Sequence, residues 1–153
     1  MKNLEPLILG LSAALIIGFL AFLSLETSFG FWLMFSFGST TLISLVFYKS
    51  DFAQPGNILF GHILGIIVGI LFNELMGMTF ISLGLAVGST VSLMIYLKVI
   101  HPPAAANPLI ALFTDVSLEY IVFPVLFGSL TIIILTVLIN RLILKRNYPK
   151  KWI

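Results

Sequence analysis

The run FAQPGNILFGHILGIIVGILFN, residues 52–73, holds no charged side chain and is closed by Asp51 before it and Glu74 after it. A helix rises ~1.5 Å per residue, so ~20 residues cross the ~30 Å hydrocarbon core of a bilayer. The same length recurs along the chain. Glu5 and Glu26 bracket 6–25, Glu26 and Lys49 bracket 27–48, Glu74 and Lys98 bracket 75–97, and Glu119 and Arg141 bracket 120–140. Each charge-free run is 20 to 23 residues long. Lipid cannot satisfy exposed backbone groups, so each run is read as a helix. The remaining stretch, 99–114, is apolar but shorter and contains His101, Pro102, Pro103 and Pro108. It reads as a broken or re-entrant segment around 101–108. The expected fold is all-α: a polytopic transmembrane helix bundle in one domain, with no soluble domain. About five spans are expected, near 6–25, 27–48, 57–74, 78–98 and 118–141.

Composition agrees. The 153 residues are 59% hydrophobic and only 9% charged, with mean hydropathy +1.15. A soluble domain carries about 25% charged residues. Eight Lys and Arg with no basic face leave no footprint for nucleic acid. Cysteine is absent, which excludes disulfides, thiolate metal sites and thiol catalysis. The first run is too long for a signal peptide, Lys2 is followed by Glu5, and no small-x-small site closes it. A retained first helix places the protein in a plasma membrane or a bacterial inner membrane. With five crossings, Lys2, Lys49 and Lys98 lie on one side, and Arg141, Lys145, Arg146, Lys150 and Lys151 on the other. The positive-inside rule then puts the C-terminus in the cytoplasm and the N-terminus outside. A full crossing by 99–114 would undo that assignment.

A shift of fifty residues aligns Gly38-Ser39-Thr40 with Gly88-Ser89-Thr90, Leu33 with Leu83, Asn57 with Asn107 and Leu59 with Leu109. Each unit is an apolar helix carrying Gly-Ser-Thr, a proline break, an Asn and another apolar run. Two spans separate the copies, so the two-helix repeat is parallel, with both breaks on one side of the membrane. Transporters are often built from repeats with the solute site at their interface.

The first break runs from Asp51 through Gln54, Pro55 and Gly56 to Asn57, an N-cap for a helix from Ile58. In the second, His101 and Pro102 each precede a proline and are biased away from helix, so the fourth helix ends near Ile100. Pro102 or Pro103 opens a new helix, or Asn107 caps one starting at Pro108. Each alternative creates a helix N-terminus within or beside the membrane, with unpaired N–H groups and partial positive charge. Two such termini, the Asn57 and Asn107 amides and the nearby Lys98 make a candidate site for a small anion. Gln54, Pro102, Pro103 and the hydroxyls of Ser39, Thr40, Ser89 and Thr90 complete the candidate solute-binding set. Neutral donors with little fixed charge suit transport, where release must follow binding.

His62 shares one helix face with Gly65 and Gly69, and Gly61, Gly65 and Gly69 form small-xxx-small steps. Such faces pack against other helices, so His62 points into the bundle. It either bonds a neighbouring helix's carbonyl or serves the solute path; His101 either caps the fourth helix or does likewise. No Asp or Glu lies in mid-span, so proton coupling would rest on histidine. Gly84 and Gly88, like Gly10, Ala14 and Gly18, read as packing faces. Two histidines far apart in sequence do not form an i, i+4 zinc pair, so no metal site, cofactor or enzymatic activity is expected.

On these residues the chain resembles the HPP family of integral membrane proteins. The resemblance lies in Ala53-Gln54-Pro55-x-Asn57 with Gly61-His62 downstream, in the Gly-Ser-Thr helices, and in His101-Pro102-Pro103-Ala104 through Asn107-Pro108-Leu109. It covers nearly the whole chain. It implies a small polytopic protein, and members in photosynthetic organisms are nitrite transporters. Two departures stand out: Gly56 follows the Gln-Pro pair where members often have Arg, and Ala104-Ala105-Ala106 replaces a common Ala-Gly-Ala. The combined expectation is a permease or channel-like carrier for a small monovalent anion, nitrite foremost. Transport of another small solute and a non-transport sensor or assembly subunit are the alternatives. The expected partners are the lipid bilayer, a small anion and further copies of the chain.

Overall fold

A computed structural model describes residues 4–28 and 30–152, all helix, turn and irregular backbone. Lys2, which entered the charge argument, lies outside the described residues. Six α-helices follow one another: α1 (Glu5–Glu26), α2 (Phe37–Val46), α3 (Pro55–Met76), α4 (Phe80–Tyr96), α5 (Asn107–Thr114) and α6 (Phe127–Leu138). Widened helical turns at Ile121–Leu126 and Ile139–Ile143 extend α6 at both ends. Three helices are long and apolar enough to cross a membrane: Glu5–Glu26, Pro55–Met76 and the continuous Ile121–Ile143. Large apolar side chains such as Leu7, Leu11, Phe22, Leu71, Leu85 and Ile134 remain exposed. That surface is the one a helical membrane bundle presents to lipid.

The second run is helical only from Phe37 to Val46, well short of 27–48. Gly30 takes a left-handed φ of +103°, the Trp32 amide donates to Ser24 Oγ, and α6 closes over the irregular stretch. Gly128 sits so close that a Cβ there would be 2.6 Å from the Trp32 carbonyl oxygen. Irregular backbone is tolerated at membrane depth where protein covers it. Helix α4 likewise ends at Tyr96 rather than near Ile100, and Lys98 turns the chain with φ +59°.

The first break differs in detail from expectation, and the second follows one of its two alternatives. Helix α3 starts at Pro55 with Gln54 as its N-cap, so Asn57 lies inside the first turn. In the second break Pro102 opens a 3₁₀ turn, Pro102–Ala106, which leads directly into α5. The segment then runs alongside α3 on its glycine face. A Cβ at Gly61 would be 2.8 Å from the His101 Cβ, one at Gly65 2.5 Å from the Ala104 carbonyl, and one at Gly69 2.6 Å from the Ala111 Cβ. Asn57 bonds the Ile100 carbonyl at one end and Asn73 bonds Asp115 at the other. Residues 100–115 therefore traverse the depth of α3 and do not turn back.

That crossing corrects the topology. Glu5 at the start of α1 is ion-paired with Arg146 beyond α6, so both ends of the described chain lie at the same end of the bundle. Lys49, Lys98, Arg141, Lys145, Arg146, Lys150 and Lys151 all gather there, and Glu26, Glu74, Asp115 and Glu119 lie at the other end. The described ends lie together, where opposite ends were expected, because 100–115 adds a passage along α3. The parallel arrangement of the repeat follows from the same path. Helices α2 and α4 both run toward the basic end, and α3 and α5 both run away from it.

The packing-face reading of the other glycines finds no partner among the described residues. A Cβ at Gly10, Gly18, Gly84 or Gly88 meets nothing within 4 Å. The core lies instead between α1, α2, α3 and α6, around Ile16, Leu20, Phe37, Leu45, Ile66 and Ile132.

Candidate functional site: a buried histidine–threonine–asparagine network

The Gly61 and Gly65 contacts draw the 101–107 segment against α3, and α2 packs over both. The result brings His62, His101, Asn107 and Thr40 together, all with no exposed surface. Thr40 Oγ1 is 2.8 Å from His62 Nε2 and 3.0 Å from His101 Nε2. The rings meet edge to face with centroids 4.9 Å apart, and Phe37 packs edge-on against His62. His101 Nδ1 lies 2.7 Å from the Phe52 carbonyl oxygen. Asn107 Nδ2 lies 3.1 Å from His62 Nδ1 and donates to the His62 carbonyl at 2.9 Å. Asn107 Oδ1 accepts from Ser36 Oγ at 2.9 Å.

Donor and acceptor chemistry fixes the direction of every bond. A carbonyl only accepts, so His101 carries its proton on Nδ1 and its neutral Nε2 is an acceptor. Thr40 therefore donates to His101 and accepts from His62 Nε2–H. His62 Nδ1 is then the acceptor that Asn107 Nδ2–H requires. The chain reads Ser36 → Asn107 → His62 → Thr40 → His101 → Phe52 carbonyl, donor to acceptor throughout. It is fully satisfied with both rings neutral and no charge inside.

The other sequence-selected residues are placed elsewhere or otherwise engaged. Asn57 is buried, and its amide is spent on the Ile100 carbonyl. Gln54 is buried at the basic end, donates to the Tyr48 and Ser50 carbonyls and accepts from the Lys150 amide. Lys98 is exposed at that end and makes no hydrogen bond or ion pair to the network among the described residues. Thr90 is buried with no side-chain partner among the described residues, and Ser89 lies beside Gly88 on the outer side of α4. The two copies of the repeat thus differ: Thr40 is at the centre of the network and Thr90 is not. The asparagine amides expected to face a solute are turned inward, because burial obliges each to find a protein partner.

Ser39, Pro102 and Pro103 instead line a groove of about 630 Å³ between α2 and the 102–114 segment, with Ser36, Ile110 and Phe113. Ser36 belongs to both groove and network. Sequence reasoning missed it, although it stands one helical turn before Thr40, the i, i+4 spacing of side chains on one face. The Phe52 carbonyl carried no sequence signal at all.

A family model described as HPP, transmembrane region, matches residues 2–149. Two transmembrane proteins of Dictyostelium discoideum are similar to the chain. One is 32% identical over 128 residues, 78% of this chain and 41% of the relative. The other is 30% identical over 125 residues, 76% of this chain and 44% of the relative. The chain spans less than half the length of these curated relatives. No solved structure matches it.

Proposed function

We propose that this chain, which belongs to the HPP transmembrane family, is a permease or channel-like carrier for a small monovalent anion, with nitrite the first candidate. One observation carries the reading: an uncharged, hydrogen-bonded network is buried in an apolar membrane bundle and adjoins a groove through Ser36. Polar side chains inside a membrane are expensive and mark solute pathways. The groove wall offers the Ser39 hydroxyl as a neutral donor, which holds an anion weakly enough to release it. The proline turn at 102–106 is the wall that would move, since Pro102 and Pro103 have no N–H to tie it down. The resemblance supplies the substrate.

The gathering of the basic residues at one end supports a membrane orientation in which both termini are cytoplasmic, in a plasma or bacterial inner membrane. The open glycine faces of α1 and α4 support assembly with further copies. An uncharged small solute is the second reading, favoured because no cationic side chain lines the groove among the described residues. Uptake of nitrite into proteoliposomes, challenged with nitrate, formate, chloride and urea, separates the two. Saturable uptake displaced by the anions and not by urea is expected. Uptake no greater than in empty liposomes overturns the permease reading for nitrite, and displacement by urea alone favours the neutral solute.

A further inference from the structure

Thr40 Oγ1 has a third neighbour besides the two rings: the Ser36 carbonyl oxygen at 3.1 Å, one turn back on α2. That carbonyl already accepts the Thr40 backbone amide at 3.1 Å, so it needs nothing further from the hydroxyl. The Thr40 proton thus has two acceptors within reach, His101 Nε2 and the Ser36 carbonyl, and a rotation about one bond moves it between them.

We propose that His62, Thr40 and His101 form a binding site for one proton, with the Thr40 hydroxyl as its switch. The incoming proton adds to the Nε2 lone pair of His101, and no bond breaks. The resulting imidazolium donates from Nδ1 to the Phe52 carbonyl and from Nε2 to Thr40 Oγ1. The Thr40 O–H swings to the Ser36 carbonyl. Its two lone pairs then receive the Nε2 protons of both histidines. Every polar group is satisfied before and after, as a buried network requires.

The same geometry refuses a second proton. His62 would have to take it on Nδ1, which faces the Asn107 Nδ2 donor. The second imidazolium would also lie against the first, with ring centroids 4.9 Å apart. Among the described residues, the elements around the pair bring no other titratable group to it. Helix α2 contributes Ser36, Phe37 and Thr40, α5 contributes Asn107, and α6 carries no charged side chain before Arg141. Asp51, on the turn that supplies the Phe52 carbonyl, is exposed and paired with Lys151 at 3.7 Å. Lys98, at the end of α4, is exposed. Because Ser36 lines the groove and its carbonyl is the second acceptor of the Thr40 proton, solute passage and proton occupancy are coupled. That coupling rests on the permease reading; the proton site does not.

The chain has only two histidines, so ¹⁵N-histidine NMR of the intact protein in lipid nanodiscs, with a histidine-free purification tag, reads the site directly. At alkaline pH one ring is expected as the Nδ1–H tautomer and the other as Nε2–H. Acidification should convert one ring to imidazolium and leave the other neutral. Thr40→Ser should titrate like wild type. Thr40→Val, which removes the acceptor of the imidazolium, should lower the midpoint by about one pH unit, a tenfold loss of proton affinity. Two rings in one tautomer, joint titration of both, or identical titration of Thr40→Val and wild type overturns the proton site. In proteoliposomes with an internal pH dye, nitrite entry should acidify the lumen beyond empty-liposome controls. Nitrite entry without lumenal acidification overturns the coupling and leaves the permease standing. Absence of nitrite entry with the one-proton titration intact overturns the permease reading and the coupling with it, and leaves the proton site.

Discussion

At Gly61, Gly65 and Gly69 the absence of a side chain has a structural consequence that can be read atom by atom. Each faces backbone or Cβ atoms of the 101–111 segment closer than any real Cβ tolerates, and at Gly65 the obstacle is the Ala104 carbonyl. Gly65→Ala should therefore push the segment off α3, at an overpacking cost of about 1–3 kcal/mol. Gly84→Ala and Gly88→Ala meet open space and should leave monomer stability unchanged or slightly raised, since alanine favours helix. Thermal unfolding in detergent checks this: a drop of several degrees for Gly65→Ala alone is expected, and equal midpoints would contradict the packing. Asn107→Ala leaves His62 Nδ1 and Ser36 Oγ without a partner, at about 1–3 kcal/mol for each buried group. At this scale the sequence announced the cluster only partly. His62, His101 and Asn107 were legible as rare polar residues in apolar runs, and the Gly61–Gly69 stripe told which way His62 points. Thr40 was selected for its place in the repeat, and its position between two rings depends on how α2 lies over α3. No local pattern encodes that.

Among the elements, the tail beyond α6 is a strap across the basic end. Arg146 reaches the Leu45 carbonyl and pairs with Glu5, and the Gln54 side chain receives the Lys150 amide. Tyr148 is buried and donates its phenol proton to the Ala53 carbonyl at 2.6 Å. Burial pushes the Tyr148 phenol above its ordinary 10.0. A released tail therefore loses the phenolic proton before a docked one does. Docking is at full strength below pH 10 and weakens as pH rises beyond it. Trypsin cleavage at Lys150 and Lys151 should accelerate between about pH 9 and pH 11 in wild type, after correction for the enzyme's own pH profile. Tyr148→Phe should cleave faster at neutral pH and show no such rise; identical profiles would contradict the strap. The strap was invisible in the sequence, because no local pattern in 144–152 says that it folds back over the start of α3. Helix α2 shows a similar gap. A charge-free run gives the length available to a helix, and Gly30 and the α6 contact at Gly128 decide where the helix starts.

For the whole molecule, the number of crossings governs everything that depends on sidedness. Charge spacing identified the long helices, but a segment with three prolines, a histidine and an asparagine among apolar residues looked too short to cross. It runs the length of α3 because α3 offers a glycine face against which a 3₁₀ turn and two turns of α-helix pack. The natural absence of cysteine makes a clean test available. Leu4→Cys and Lys151→Cys should react with an impermeant maleimide from the same side of oriented vesicles, and Asp115→Cys from the other. Labelling of Leu4→Cys and Lys151→Cys from opposite sides would restore an odd number of crossings.

The central claim is that the buried network stands in a path for a small anion, and nitrite uptake into proteoliposomes by wild type and His101→Ala tests it most directly. The account predicts saturable uptake by wild type, reduced at least tenfold in His101→Ala protein that still elutes and melts as a folded species. Equal uptake by the two proteins, or none above empty liposomes, would contradict it.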